Sequence, residues 1–138
     1  MTDMRTAPYA ALLLRLVLGV LFLAHAGLKI FVFTPAGTAG FFGSLGLPGW
    51  LAYVTIVWEV VGGVALILGL WPRLVAIAMI PILLGALFTV HIHAGFFFNN
   101  PKGGWEFLAL WIAGLVSLAL LGDGALALKP TPIGSRAR

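Results

Sequence analysis

The sequence predicts an all-α integral membrane protein, a four-helix bundle with a short interfacial or re-entrant helix between the first two spans. Hydrophobic residues make up 62% of the 138 residues and charged residues only 9%, with a mean hydropathy of +1.12. Soluble domains have about a quarter charged residues. The apolar residues form four long runs separated by segments rich in glycine, proline or polar residues. We expect one transmembrane domain over residues 1–128 and a disordered cytoplasmic tail over 129–138.

Composition also excludes several functions. The chain has no cysteine, which rules out disulfides, cysteine nucleophiles and thiolate metal ligands within it. The net charge of +4 comes from scattered lysines and arginines, so they indicate membrane topology and not nucleic-acid binding. The first apolar run is too long for a signal peptide and is followed by no cleavage site, so we expect it to be retained as a span.

The first span is predicted over residues 8–33, because Pro8 suits a first helical turn and the run can cross about 30 Å of hydrocarbon. Arg15, His25 and Lys29 fall on one stripe of this helix, because with Leu18 and Phe22 between them the spacing is 3, 4, 3 and 4 residues. Charge is costly in lipid, so the stripe should face the bundle interior. Alternatively, the long side chain of Lys29 snorkels to the membrane interface.

A short helix is predicted within residues 34–48, which carry no charge and mix glycine and proline with apolar residues. This segment is too apolar for a free loop and too short to span a membrane. We expect it to lie in the interface or to fold back over the mouth of the bundle. It would serve either as an anchor or as a lid.

The second span is predicted over residues 49–70, with Glu59 at its centre and Gly69 and Pro72 as a helix-stop pattern. A carboxylate at this depth must be protonated or paired. Counting residues from the shared membrane side brings Glu59 within reach of Arg15, and we expect the two to interact, directly or through water. Their pair would either fix helix register or take part in proton movement.

The third and fourth spans are predicted over residues 73–93 and 103–121. Pro81 should kink the third span. Four spans put both termini on one side, which also carries the turn before Arg73 and collects most lysines and arginines. The positive-inside rule then predicts cytoplasmic termini in a bacterial inner membrane.

Six polar or aromatic residues converge on the opposite, outer leaflet in this topology: His25, Lys29, His91, His93, Trp105 and Glu106. We expect His25, Lys29, His91 and Glu106 to form a hydrogen-bonded cluster suited to proton exchange with a bound ligand. Three alternatives remain: a metal shared by His91 and His93, a haem between His25 and His91, or polar groups that only satisfy one another at the interface.

The same residues carry a resemblance that covers about residues 9 to 125. The matching positions are Arg15, Gly19, His25-Ala26-Gly27-Leu28-Lys29, Glu59, Gly62-Gly63, Arg73, His91 and Gly103-Gly104-Trp105-Glu106. This pattern resembles the DoxX family of small bacterial four-helix inner-membrane proteins. Ala26 stands where the family often has glycine, and residues 96–100 are an individual version of a variable loop.

The resemblance implies a membrane component linked to quinone or thiol redox chemistry. Founding members are described as subunits of a quinol oxidase or a thiosulfate:quinone oxidoreductase, and relatives are associated with hydroquinone resistance and oxidative-stress complexes. The sequence contains no redox centre of its own, so a quinone or a soluble or membrane redox partner protein would carry electrons. We expect no haem or metal.

Our first hypothesis is therefore an oxidoreductase subunit that binds a quinone or small aromatic ligand in an outer-leaflet pocket. Candidate catalytic residues are His25, His91 and Glu106; candidate ligand-binding residues are Arg15, Lys29, Glu59, His93 and Trp105. One alternative is a small-solute transporter, which would need a homo-oligomer because four helices are few for alternating access. Another is a non-catalytic assembly subunit.

Overall fold

The computed structural model describes residues 1–132, and the regular secondary structure within them is helical. Four of the helices form an antiparallel bundle, and a short helix lies between the first two of these four, as the sequence predicts. The helices are α1 (Ala7–Gly27), α2 (Pro35–Ser44), α3 (Trp50–Leu68), α4 (Pro72–Thr89) and α5 (Glu106–Leu121).

The length and surface of the helices fit a membrane. Three are long and apolar enough to cross it: α1 with its extension (Ala7–Val32), α3 and α4. The fourth, α5, is apolar but has 16 residues, a length of about 24 Å. Many large hydrophobic side chains are exposed on the outside of the bundle. The protein is thus a helical membrane bundle whose apolar outer surface suits lipid.

Close packing of α1 against α3 sets the shape of the bundle. A Cβ atom added at Gly19 would stand 2.8 Å from the backbone oxygen of Gly63, so the two helix backbones touch where only glycine fits. α1 also packs against α5, and α4 packs against α3 and α5. Fully buried side chains, including Phe22, Leu66 and Leu115, fill the centre.

The bundle has two ends with different constructions. We call one of them the terminus end; it contains the starts of α1 and α4 and the ends of α3 and α5. The loop end is the opposite one, and it carries α2 and the connection between α4 and α5. α4 stops at Thr89, earlier than the predicted end of the third span, because residues His91–Ala94 form a separate 3-10 turn. α5 begins at Glu106, three residues later than predicted.

The chain after α5 folds back across the terminus end. Lys129 N–H donates to the Gly69 carbonyl, and Trp71 N–H donates to the Lys129 carbonyl. Thr131 is only 3% exposed. The expectation of a disordered tail from residue 129 is therefore wrong for residues 129–132, because these backbone pairings hold them. Residues 133–138 of the expected tail lie outside the described residues.

Candidate functional site

The strongest candidate site is an ion pair between α1 and α3 toward the loop end. Glu59 is the middle residue of α3 and is 3% exposed. The ammonium nitrogen of Lys29 lies 3.0 and 2.9 Å from the Oε1 and Oε2 atoms of this carboxylate. It also lies 3.5 Å from the carbonyl oxygen of His25. Lys29 therefore faces the interior as predicted, and these oxygens can accept all three of its N–H groups.

A widened helical turn positions Lys29. α1 continues from Leu28 to Val32 as a π-helix, in which Phe33 N–H donates to the Leu28 carbonyl. Such turns are often found at functional sites. The buried Thr38 of α2 lies 3.4 Å, Oγ1 to oxygen, from the Lys29 carbonyl. α2 is thus a cover that contacts the backbone of the π turn.

The start of α2 is fixed locally. Thr34 precedes the helix at a φ of +64°, a strained conformation for a β-branched residue, and its side chain accepts a hydrogen bond from Gly37 N–H. This is an N-cap, which satisfies one free backbone donor of the first turn. The predicted short helix therefore exists, with Pro35 as its first residue.

His25 stands beside the pair with one ring nitrogen already committed. Its Nδ1 atom is 2.9 Å from the Leu21 carbonyl oxygen. Because a carbonyl only accepts, Nδ1 must carry the proton and Nε2 of the neutral ring is an acceptor. The ring is half-buried and close enough to Glu59 to act on its carboxylate electrostatically. His25 thus offers a base on the ring nitrogen that faces away from the helix backbone.

Trp111 of α5 completes the site, and the sequence analysis did not select it. Its ring centroid is 4.8 Å from that of His25 and 4.8 Å from that of Phe22, and the residue is 7% exposed. Its indole N–H is buried and finds no hydrogen-bond acceptor among residues 1–132. A tryptophan well inside a span, away from the interfacial aromatic belt, was the available signal.

Arg15 does not interact with Glu59, so that expectation is wrong. Its guanidinium donates to the backbone carbonyls of Asp123 and Ala125, at 2.9 and 3.0 Å. It lies against Gly69 at the end of α3, which is about 15 Å along the helix from Glu59. The close α1–α3 packing sets this register, and depth counting from the sequence did not include it.

The residues around the α4–α5 connection bind their own loop. The His91 Nδ1 atom is 2.8 Å from the Gly103 carbonyl oxygen, and the His91 ring meets Phe107 edge-on. The Glu106 carboxylate accepts a hydrogen bond from Phe98 N–H. Trp105 packs edge-on against a phenylalanine of the loop. These contacts fold the connection onto the start of α5.

The expected hydrogen-bonded cluster of four residues is therefore wrong. In the described part of the chain, no hydrogen bond or ion pair joins His91 or Glu106 to His25 or Lys29. His93 is exposed. Residues 1–132 also contain no group of three or more histidine, aspartate or glutamate side chains placed to hold a metal ion.

A separate groove of about 570 Å³ lies between α3 and α4. Its lining is almost entirely apolar and includes Tyr53, Val57, Trp58, Val61 and Met79. Trp58 N–H crosses to the Ala78 carbonyl of α4, at 3.0 Å. None of the charged or histidine candidates predicted from the sequence lines this groove.

Comparison with known proteins gives a consistent result. The family model DoxX matches residues 10–92. A Bacillus subtilis (strain 168) protein described as "Putative oxidoreductase CatD" is 41% identical over 119 residues, which cover 86% of this chain and 84% of the relative. No solved structure matches the chain.

Proposed function

This chain belongs to the DoxX family, and from that premise we propose that it is a membrane component of a redox system that binds a quinone or a similar small aromatic ligand beside Lys29 and Glu59. The observation that carries the proposal is the buried ion pair with His25 next to it. Ionisable residues inside membrane helices are costly and are usually kept for function. The oxidoreductase description of the Bacillus relative supports a redox role.

Each residue of the site has a distinct task in this proposal. A bound quinone would supply the electron chemistry, with a partner redox protein as the electron source or acceptor. His25 takes or gives a proton through Nε2, since Nδ1 is held by the Leu21 carbonyl. Lys29 keeps the Glu59 carboxylate neutralised while the charge on His25 changes. His91 and Glu106 shape the loop end through their contacts with the α4–α5 connection.

Reconstituted protein tests the proposal directly. We expect purified protein in lipid nanodiscs to bind decylubiquinone saturably, above the signal of empty nanodiscs. H25Q should weaken binding of the reduced form, decylubiquinol, about tenfold, because a ring hydroxyl donates to the Nε2 acceptor of His25 and the lost hydrogen bond is worth about 1.4 kcal/mol. H93Q is the matched control, because His93 is exposed and should leave the affinity unchanged. No saturable binding, or equal affinity in H25Q, would overturn the proposal.

We also propose the bacterial inner membrane as its location, with both termini in the cytoplasm. Arg5, Arg73 and Lys129 lie at the terminus end, whereas Lys102 lies in the loop-end connection. Because the chain has no cysteine, single-cysteine labelling can test this topology. Thr2→Cys and Asn99→Cys each introduce one thiol. A membrane-impermeant maleimide added to intact cells should label only Asn99→Cys. Labelling of only Thr2→Cys would show that the termini lie outside the cytoplasm.

A further inference from the structure

The indole N–H of Trp111 is a buried donor without an acceptor in the part of the chain that the structure describes. Trp111 is 7% exposed, and no acceptor within residues 1–132 takes its hydrogen. By contrast, Trp58 N–H donates to a carbonyl of the neighbouring helix. Buried polar groups nearly always have a partner, so an unpaired one indicates a water or ligand atom at that place.

The neighbouring histidine offers the complementary group. Its Nδ1 donates to the Leu21 carbonyl, which leaves Nε2 of the neutral His25 ring as an acceptor. The two ring centroids are 4.8 Å apart. The two unpaired ring nitrogens therefore belong to neighbouring rings, and a single oxygen atom within about 2.9 Å of each can bond to both if it accepts from Trp111 and donates to His25.

Lys29 does not compete for this oxygen. Its ammonium is surrounded by both oxygens of Glu59 and by the His25 carbonyl. A ligand that approached Lys29 would have to displace an existing ion pair, whereas a ligand at Trp111 and His25 would complete two unfinished hydrogen bonds. We therefore expect the Trp111 indole N–H and the His25 Nε2 atom, and not the Lys29 ammonium, to contact a ligand oxygen directly.

Resting on the proposed function, we propose that Trp111 is the specificity-determining residue of this site, where it donates its indole N–H to a ring hydroxyl whose proton is shared with His25. A hydroxyl oxygen both accepts and donates, so it satisfies both groups. A ring carbonyl accepts from Trp111 but gives the neutral His25 no proton. A methyl ether carries a methyl group where the hydroxyl proton would lie, so it collides with His25 and its oxygen stays outside hydrogen-bond distance of Trp111. The site thus selects hydroxylated aromatic rings over their carbonyl or ether counterparts.

Binding to the full-length protein in nanodiscs tests this selectivity. The probes are decylubiquinol and its O,O-dimethyl ether, which share ring and tail, under anaerobic conditions. We expect the wild type to bind the quinol at least about tenfold more tightly than the ether. W111F, which keeps an aromatic ring but has no N–H, should weaken quinol binding about tenfold and change ether binding less than about twofold. W58F should change neither affinity.

Nuclear magnetic resonance of protein labelled with ¹⁵N-tryptophan gives a second readout, in which ligand binding is measured on the wild type alone. The Trp111 indole signal, assigned by its absence from W111F, should move downfield on addition of the quinol and stay in place with the ether. Equal quinol affinity in W111F and wild type, equal losses for both probes, or an unmoved indole signal would each overturn the role of Trp111. If decylubiquinone, quinol and ether all fail to bind the wild type, the proposed function fails first and this inference falls with it.

Discussion

Two inward-facing cations on α1 and its extension, one buried and one partly exposed, have different kinds of partner. Arg15, 1% exposed near the terminus end, binds the backbone carbonyls of Asp123 and Ala125. Lys29, whose side chain is 19% exposed near the loop end, binds the carboxylate of Glu59. One charge is held mainly by peptide dipoles, and the other by a second charge.

This difference indicates a structural role for Arg15 and a chemical role for the pair of Lys29 and Glu59. An arginine stays protonated in proteins, and its planar fork reaches two carbonyl oxygens at once, so it holds the chain after α5 in one place. A carboxylate paired with a lysine can take up a proton, and the Glu59 carboxylate also feels the charge on the neighbouring His25. The terminus end is therefore a fixed closure of the bundle, and the loop end is where protonation can change.

Removal of the Arg15 guanidinium should have the largest effect on stability. R15L leaves the partly buried carbonyls of Asp123 and Ala125 without their donors. We expect a loss of about 3 kcal/mol or more in the free energy of unfolding, enough to reduce the yield of folded protein. The measurement is SDS-induced unfolding in mixed micelles, with detergent-extracted yield as a second readout.

Arg5 provides the matched control for this prediction. It lies at the same end of the bundle but is exposed, and within residues 1–132 its side chain holds no carbonyl of the segment after α5. R5L should change the free energy of unfolding by less than about 0.5 kcal/mol. Equal stability of R15L and R5L would show that the C-terminal segment is held without the arginine.

Loss of the Glu59 charge should come second in size. E59Q leaves the Lys29 ammonium without its counter-charge, and we expect a loss of about 2 kcal/mol, less than for a fully buried pair because Lys29 is partly exposed. K29M/E59Q removes both charges and should recover part of that loss. A double-mutant cycle from SDS unfolding should give a coupling energy of about 1–2 kcal/mol. Additive effects would mean that the pair contributes no specific stability.

The sequence predicted those features that depend on spacing along one helix. The composition predicted the membrane bundle, and the spacing of Arg15, His25 and Lys29 predicted an inward-facing stripe, on which Arg15 is fully buried. The uncharged segment 34–48 predicted the short helix α2. Each of these depends on local periodicity and apolar content, which one sequence contains.

Features that depend on register between helices were out of reach. The partner of Glu59 was wrong because the Gly19–Gly63 contact, and not a common depth, fixes how α1 meets α3. The chain after α5 binds through backbone groups of Gly69 and Trp71, which composition cannot reveal. The position of Trp111 inside a span was a weak signal, and its importance depends on an unpaired N–H that only the packed structure reveals.

The smallest effects should come from two buried threonines, one at each end, changed to the isosteric valine. Thr131 Oγ1 donates to the Asp123 carboxylate at 2.5 Å and accepts from Arg73 N–H, whereas Thr38 Oγ1 donates to the neutral carbonyl of Thr34 at 2.9 Å. Bonds to charged groups are the stronger ones, so T131V should cost about 1.5 kcal/mol and T38V about 1 kcal/mol in SDS unfolding. T38V should weaken decylubiquinone binding more than T131V does, because only Thr38 contacts the turn that carries Lys29. The opposite order in both measurements would mean that the terminus end, and not the loop end, is the adaptable part of the bundle.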